Sequence, residues 1–312
     1  MRHRPVLATT LILLAGLLAP GAADAKPKLA GTFDLSGQAG QMTRGSDGNI
    51  WVVIIGGANP IARVKPSGAV KEYSPAALVN PVGITAGPDG NLWLTRPGGV
   101  VRVPPNNPNN AQDFNVAAIT DAQGITRGPQ KKLWAASGDR LVSFKPNNPV
   151  GADDVTINGM NARGIAASGK KLWIADFGGA RIVRVTPAGA VKRFGTGGTP
   201  QQVASGPGGS VAYGNPGTDP QKVGRIRADG THKKSQLPTQ TDPFGIAFAP
   251  DKRWWFAAFG TDRLGILSQT GKVSYFRNLP AGSGPRHVAV GKNNTLWVSL
   301  EQAEKVARIT GI

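Results

Sequence analysis

One phrase constrains what this chain can fold into. Pro81 to Thr95 reads PVGITAGPDGNLWLT, and degraded copies of it recur along the sequence. Trp51, Trp93, Trp134, Trp173, Trp255 and Trp297 mark the copies, and Ala212 in GGSVAYGN stands where a tryptophan is due. The spacings are then 42, 41, 39, 39, 43 and 42 residues. A period of about 40 residues, made of short apolar runs and Gly/Pro turns, is the mark of a β-propeller blade.

Each copy divides into four strands. The first is of the GIT or GIA type at Gly83, Gly124, Gly164 and Gly245, with QVA at Gln202 and HVA at His287. A tight turn follows, GPDGN in the best copy, where Pro presets φ and Gly accepts positive φ. The second strand carries the tryptophan. The third is of the RIVRVTP type, and the fourth of the VKEYS or VKRFG type. Apolar and polar residues alternate as strands require. The last copy stops after its third strand, and LAGTFDLSG (29–37) has the pattern of the missing fourth. The expected fold is all-β, a seven-bladed propeller over residues 26–312. The N-terminal strand should close the last blade and remove an open sheet edge.

Residues 1–25 read as a secretory signal peptide. Arg2 and Arg4 precede an apolar run from Val6 to Leu18, and Ala23-Asp24-Ala25 is a small-x-small cleavage site. The run is short for a membrane span, and no second one follows. The expected product is secreted or periplasmic, without a transmembrane segment, and monomeric. The chain has no cysteine, which excludes disulfides and thiolate metal sites.

The net charge is +18 and changes little when Arg2, Arg4 and Asp24 leave with the signal. Such a field favours anionic partners, a small anion or an acidic cell-envelope polymer. Lys131, Lys132, Lys170, Lys171, Lys252, Arg253 and Lys292 fall in turns between first and second strands. Lys65 and Lys145 fall in turns between third and fourth strands, on the same face. No aromatic residues interleave with these lysines, so no single-strand nucleic-acid motif is present. The inserts PPNNPNN (104–110) and PNNPVGADD (146–154) read as turn-rich loops.

The phrase PVGITAGPDGNLWLT, with RIVRVTPAGAV (181–191) after a second copy, resembles the streptogramin lyase family, the virginiamycin B lyase-like proteins. That resemblance implies a seven-bladed propeller. Its lyase members open a cyclic depsipeptide by elimination with Mg²⁺. An elimination needs a base for the α-proton and an acid or metal for the leaving oxygen. The family places a histidine directly after the proline that opens the first strand in each of the last two blades, with a glutamate before the final one and another after the second strand. Here Phe244 follows Pro243, Arg286 follows Pro285, and Gly284 precedes it. His287 comes one position late, which in a regular strand turns its side chain to the other face. Glu301 lies near the place of the family's late glutamate.

The channel mouth should be ringed by two sets of residues. Gly40, Val82, Gln123, Arg163, Gln201, Phe244 and Arg286 precede the first-strand glycine position; Ile54, Arg96, Ser137, Asp176, Asn215, Ala258 and Leu300 lie three residues past the tryptophan position. Arg96, Arg163, Asp176, Asn215 and Arg286 are the candidate ligand-binding residues, since planar guanidinium groups hold carboxylates and phosphates by paired donors. The alternative arrangement has Arg163 pairing with Asp176 and Arg286 with Glu301 to close the mouth. His232 is expected at the outer surface. Three roles stay open: a non-catalytic exported binding propeller that needs no cofactor, a structural scaffold, or a Mg²⁺-dependent C–O lyase using His287 and Glu301.

Overall fold

The computed structural model describes residues 26–217 and 220–312; the expected signal peptide lies outside them. The described residues form seven separate sheets, each of four antiparallel strands in simple order from first to fourth. The exception in chain order is blade seven. There Lys28–Asp34 pairs with Lys305–Thr310 as the outer strand, beyond Leu296–Leu300 and Pro285–Val290. The ring closes as the pattern of residues 29–37 required. No helix among the described residues is long and apolar enough to cross a membrane.

The repeat register is preserved strand for strand. Trp51, Trp93, Trp173 and Trp297 lie opposite Arg63, Arg102, Arg184 and Arg308 of their third strands. Ala212 lies opposite Arg225 in the same way, so it does occupy the tryptophan position of blade five. Trp51, Trp93, Trp173 and Trp255 are fully buried. Each packs between its own sheet and the next: Trp93 contacts Phe114 of its own blade at 5.9 Å and Phe144 of blade three at 5.4 Å between ring centroids. In blades one, two and six the tryptophan's indole N–H donates to an aspartate four residues earlier, in the tight turn. The partners are Asp47 at 3.2 Å, Asp89 at 3.0 Å and Asp251 at 2.9 Å. The carboxylate thus fixes the turn and the wedge together.

The insert 146–154 is not a loop. Asn148–Thr156 is a long outer strand that pairs with Arg140–Lys145 through one bulge. Pro149 is tolerated because the strand is at an edge. Its carboxylates also answer nearby cations: Asp153 meets Lys132 at 2.7 Å and Asp154 meets Arg140 at 3.2 Å.

Replacing Trp93 by Ala should cost about 3–5 kcal/mol in urea unfolding, since a buried indole is lost from an interior that cannot close around the void. Asp89→Ala should cost about 1–2 kcal/mol, since the hydrogen bonds it accepts from Trp93 and Asn91 lie at an exposed turn. Equal losses for the two would contradict the wedge model.

Candidate functional site

The first strands face the channel, and five of those described carry a bulge at the same place. The register slips by one between Ala39 and Met42, Ala122 and Ile125, Ala162 and Ile165, Pro243 and Ile246, and Pro285 and Val288. Two residues then oppose one on the second strand, and strict alternation fails locally. In blades three, four and six the second bulge residue is glycine: Gly124, Gly164 and Gly245. A Cβ at Gly245 would lie 2.7 Å from both the Arg286 carbonyl and the His287 Cα, and one at Gly164 would lie 2.8 Å from the Gln201 carbonyl. Glycine therefore lets neighbouring first strands close in around the channel. Gln41 and His287 are the non-glycine residues at this bulge position. Both line the central cavity, as does Gln202, which takes the glycine's place in blade five.

This bulge corrects the expectation for His287. The histidine was expected to turn away from the channel because it follows Arg286. Both residues oppose Ser299, whose Oγ accepts the His287 N–H at 2.8 Å, and both line the cavity. Gln41 and Gln202 were not foreseen as lining residues. Their sequence signal was present: each replaces the glycine of the GIT phrase.

The cavity has a volume of about 600 Å³, within the range of small-molecule sites. All seven residues expected before the first-strand glycine position line it: Gly40, Val82, Gln123, Arg163, Gln201, Phe244 and Arg286. Its wall is two-sided. Ile54, Ile55, Pro60, Pro81 and Val82 form an apolar side in blades one and two, and the arginines, glutamines, His287 and Glu301 form a polar side. Ile55 is half exposed at the rim. Glu301 is the sole carboxylate of the lining.

The two cavity arginines are held differently. Arg286 lies over the Phe244 ring at 3.8 Å and near Phe259 at 5.5 Å, and its Nε is 3.5 Å from a Glu301 oxygen. Phe244 and Phe259 are themselves edge to face at 5.6 Å. Arg163 lies over Phe177 at 5.2 Å. Among the described residues no carboxylate or carbonyl takes up its guanidinium donors. The pairing of Arg163 with Asp176 does not form.

Three candidates sit elsewhere. Asp176 is fully buried and binds Arg181 Nε at 2.6 Å while accepting the N–H of Asn161 and Gly179. It holds together the loops of blade four rather than facing the cavity. Asn215 is fully buried, and its amide donates weakly to the Thr196 carbonyl at 3.4 Å. Arg96 pairs with Asp113 at 2.6 Å and Asn115 at 2.7 Å beside a smaller neighbouring cavity. The position three residues past the tryptophan ends the second strand, so its side chain ties down loops. His232 is partly buried, not superficial; its Nε2 meets the Tyr213 hydroxyl at 2.6 Å and its ring stands edge-on to Phe194.

Burial, with a smaller push from Arg286, lowers the His287 imidazole to about 3. The neutral form is therefore favoured in the fold.

The fold is shared with solved proteins. The chain resembles a solved streptogramin B lyase at 20% identity with a TM-score of 0.78, covering 91% of this chain and 97% of that one. A catalytically inactive virginiamycin B lyase from Staphylococcus aureus with quinupristin gives 20% identity, a TM-score of 0.79 and coverage of 91% and 99%. The extracellular domain of a hybrid two-component system from B. thetaiotaomicron gives 13% identity and a TM-score of 0.72, over 92% of this chain and 43% of that one. No curated protein sequence matches the chain.

The folded-state value of His287 lies below its ordinary 6.5. The unfolded chain therefore takes up the extra proton first, and stability should fall as pH drops from about 6.5 towards 3. Comparing thermal midpoints of the wild type and His287→Asn over that window should show a shallower fall for the variant. Parallel curves would show that His287 carries no such linkage. Residues 150–311 match the virginiamycin B lyase family model, more than half of the sequence, and the chain belongs to that family.

Proposed function

We propose that this protein is an exported, non-catalytic binding propeller that holds a small anion in its central cavity. The observation that carries the reading is Arg163, stacked on Phe177 with its donors free at the cavity wall. A partly buried guanidinium without a counter-charge favours a carboxylate or phosphate that supplies one. Arg286 provides a second donor set, oriented by Phe244 and Glu301. The apolar side formed by blades one and two suits a ligand with a hydrocarbon body behind its acidic group. The extracellular setting of the B. thetaiotaomicron domains and the signal-like N-terminal sequence support export.

The lining does not suit Mg²⁺. The ion prefers six oxygen ligands, whereas Glu301 is the lone lining carboxylate and faces Arg286. Among the described residues no group of three or more acidic, histidine or cysteine side chains gathers. A histidine pushed to about 3 is also a weak proton acceptor. One observation favours the second reading, a C–O lyase: His287 and Glu301 do line the same cavity.

Titration calorimetry of the mature chain with glucuronate, octanoate and inorganic phosphate tests the proposal. At least one should bind, and Arg163→Gln should weaken it about 10-fold or more, the worth of one charge-assisted contact. No binding by any of the three, or equal binding by the variant, would refute the anion site. A linear product from a streptogramin B depsipeptide with added Mg²⁺, lost in both His287→Ala and Glu301→Gln, would establish the lyase reading instead.

A further inference from the structure

Blade five departs from the repeat at two positions that belong together. In blades one, two, four and seven the third-strand arginine opposite the tryptophan lies over two rings. Arg63 covers Trp51 and Tyr73, Arg102 covers Trp93 and Phe114, Arg184 covers Trp173 and Phe194, and Arg308 covers Trp297 and Phe33. Each sandwich holds the cation against ring faces that attract it. In blade five the arginine remains as Arg225, but both rings are gone. Ala212 takes the place of the tryptophan, and Ser235, opposite Val223, takes the place of the fourth-strand aromatic residue. The turn aspartate of blades one, two and six is absent as well, as it is in blades three, four and seven: Gly208 stands four residues before Ala212, and a side chain there would meet nothing.

The vacated slot is only partly refilled. Trp254 of blade six backs Gly206, where blades one, two, three and seven place their own tryptophan. A cavity of about 400 Å³ remains between blades five and six. Its wall includes Arg225, Arg227, Ser210, Asp229, Phe248 and Trp254. Arg225 is 9% exposed, and among the described residues it has no hydrogen bond, ion pair or ring partner. The Asp229 carboxylate accepts the Thr231 N–H at 2.7 Å, and that bond, with a smaller pull from Arg227, holds its carboxyl below the usual range. Burial, with Arg227 adding to it, pushes the Arg225 guanidinium below its ordinary value.

We infer that this crevice is a second binding site, for a small aromatic carboxylate. The flat faces of Arg225, covered by rings in four other blades, accept the aromatic ring of the ligand. Its N–H edge, with Arg227 beside it, takes the carboxylate by paired charge-assisted bonds. Phe248 and Trp254, themselves edge to face at 5.1 Å, supply the apolar wall. Such a ligand returns to blade five the ring and the carboxylate that its own sequence omits. The site is separate from the central cavity and does not depend on what that cavity binds.

Indole-3-carboxylate is the probe, titrated calorimetrically into the mature chain beside neutral indole. Saturable binding of the acid is expected, with neutral indole at least 10-fold weaker. Arg225→Gln should weaken the acid about 10-fold or more, whereas Arg163→Gln in the central cavity should leave it unchanged. Arg225→Gln removes a buried unpaired charge, so it should fold with an equal or higher thermal midpoint. Absence of binding, indole binding as tightly as the acid, or an Arg225→Gln variant that binds like the wild type would each overturn the assignment. Loss of binding in Arg163→Gln with Arg225→Gln unaffected would place the acid in the central cavity, and would overturn it as well.

Discussion

The structure depends on the wedge made by the second-strand indole. Seven flat sheets would slide past one another if only backbone and small side chains met at their faces. In six of the seven blades a second-strand tryptophan gives the interface a shape that fits one angle between sheets, and blade five, with Ala212 in its place, is backed by Trp254 of blade six. The second-strand indole N–H would carry a desolvation penalty if unsatisfied, and in blades one, two and six the turn aspartate removes that penalty. In blades three and four Gln130 and Gly169 stand at that position, and the Nε1 atoms of Trp134 and Trp173 are buried without a partner. The wedge therefore survives loss of its cap, at a cost the surrounding packing absorbs.

The channel follows from the same geometry. Once the wedges set the blade angle, the first strands must approach at the axis, and the glycine of the bulge lets them. Where that residue has a side chain, the only free direction is into the cavity. The bulge thus converts a departure from the repeat into a lining group: Gln41 and His287 through a bulge, Gln202 at the matching place. Such departures add Gln41, Gln202 and His287 to a polar side whose arginines and other glutamines come from the residue before the glycine position, while the apolar side of blades one and two comes from second-strand ends and the proline turns beside them.

How much of this was legible in the sequence depends on which rule each residue obeys. The period of the tryptophans, the blade count and the closing role of residues 29–37 follow from pattern alone, because burial imposes them on every copy. The residues before the first-strand glycine position were also legible, since a single offset from the repeat carries all seven into the cavity. The second offset carried Ile54 into the cavity but none of its candidate binding residues. Asp176, Asn215 and Arg96 lie where the strand gives way to loop, and there local hydrogen bonding decides the direction of the side chain. His287 was misread for a different reason: alternation assumes an unbroken ladder, and a bulge is visible only once both strands are paired. The insert at 146–154 shows the opposite error, in which turn-forming residues tolerate an edge strand.

A repeat protein supplies its own controls, and this gives departures from its pattern a physical meaning. A position that keeps one residue of an interacting set while losing the others is less stable than either the complete set or none. Arg225 is such a residue: burial costs it hydration, and blade five withholds the two rings that offset this cost in blades one, two, four and seven. Trp254 repairs part of the apolar defect, because an indole can enter from a neighbouring sheet and back Gly206. It cannot repair the electrostatic part, since its ring does not reach the guanidinium. The same reasoning separates the two cavity arginines. Arg286 has two rings and a carboxylate 3.5 Å from its Nε, so it has less to gain from a ligand than Arg163. Arg163 has a ring and no counter-charge. Arg163 at the axis and Arg225 between blades each line a cavity and, among the described residues, have no counter-charge, so an anion gains by binding there.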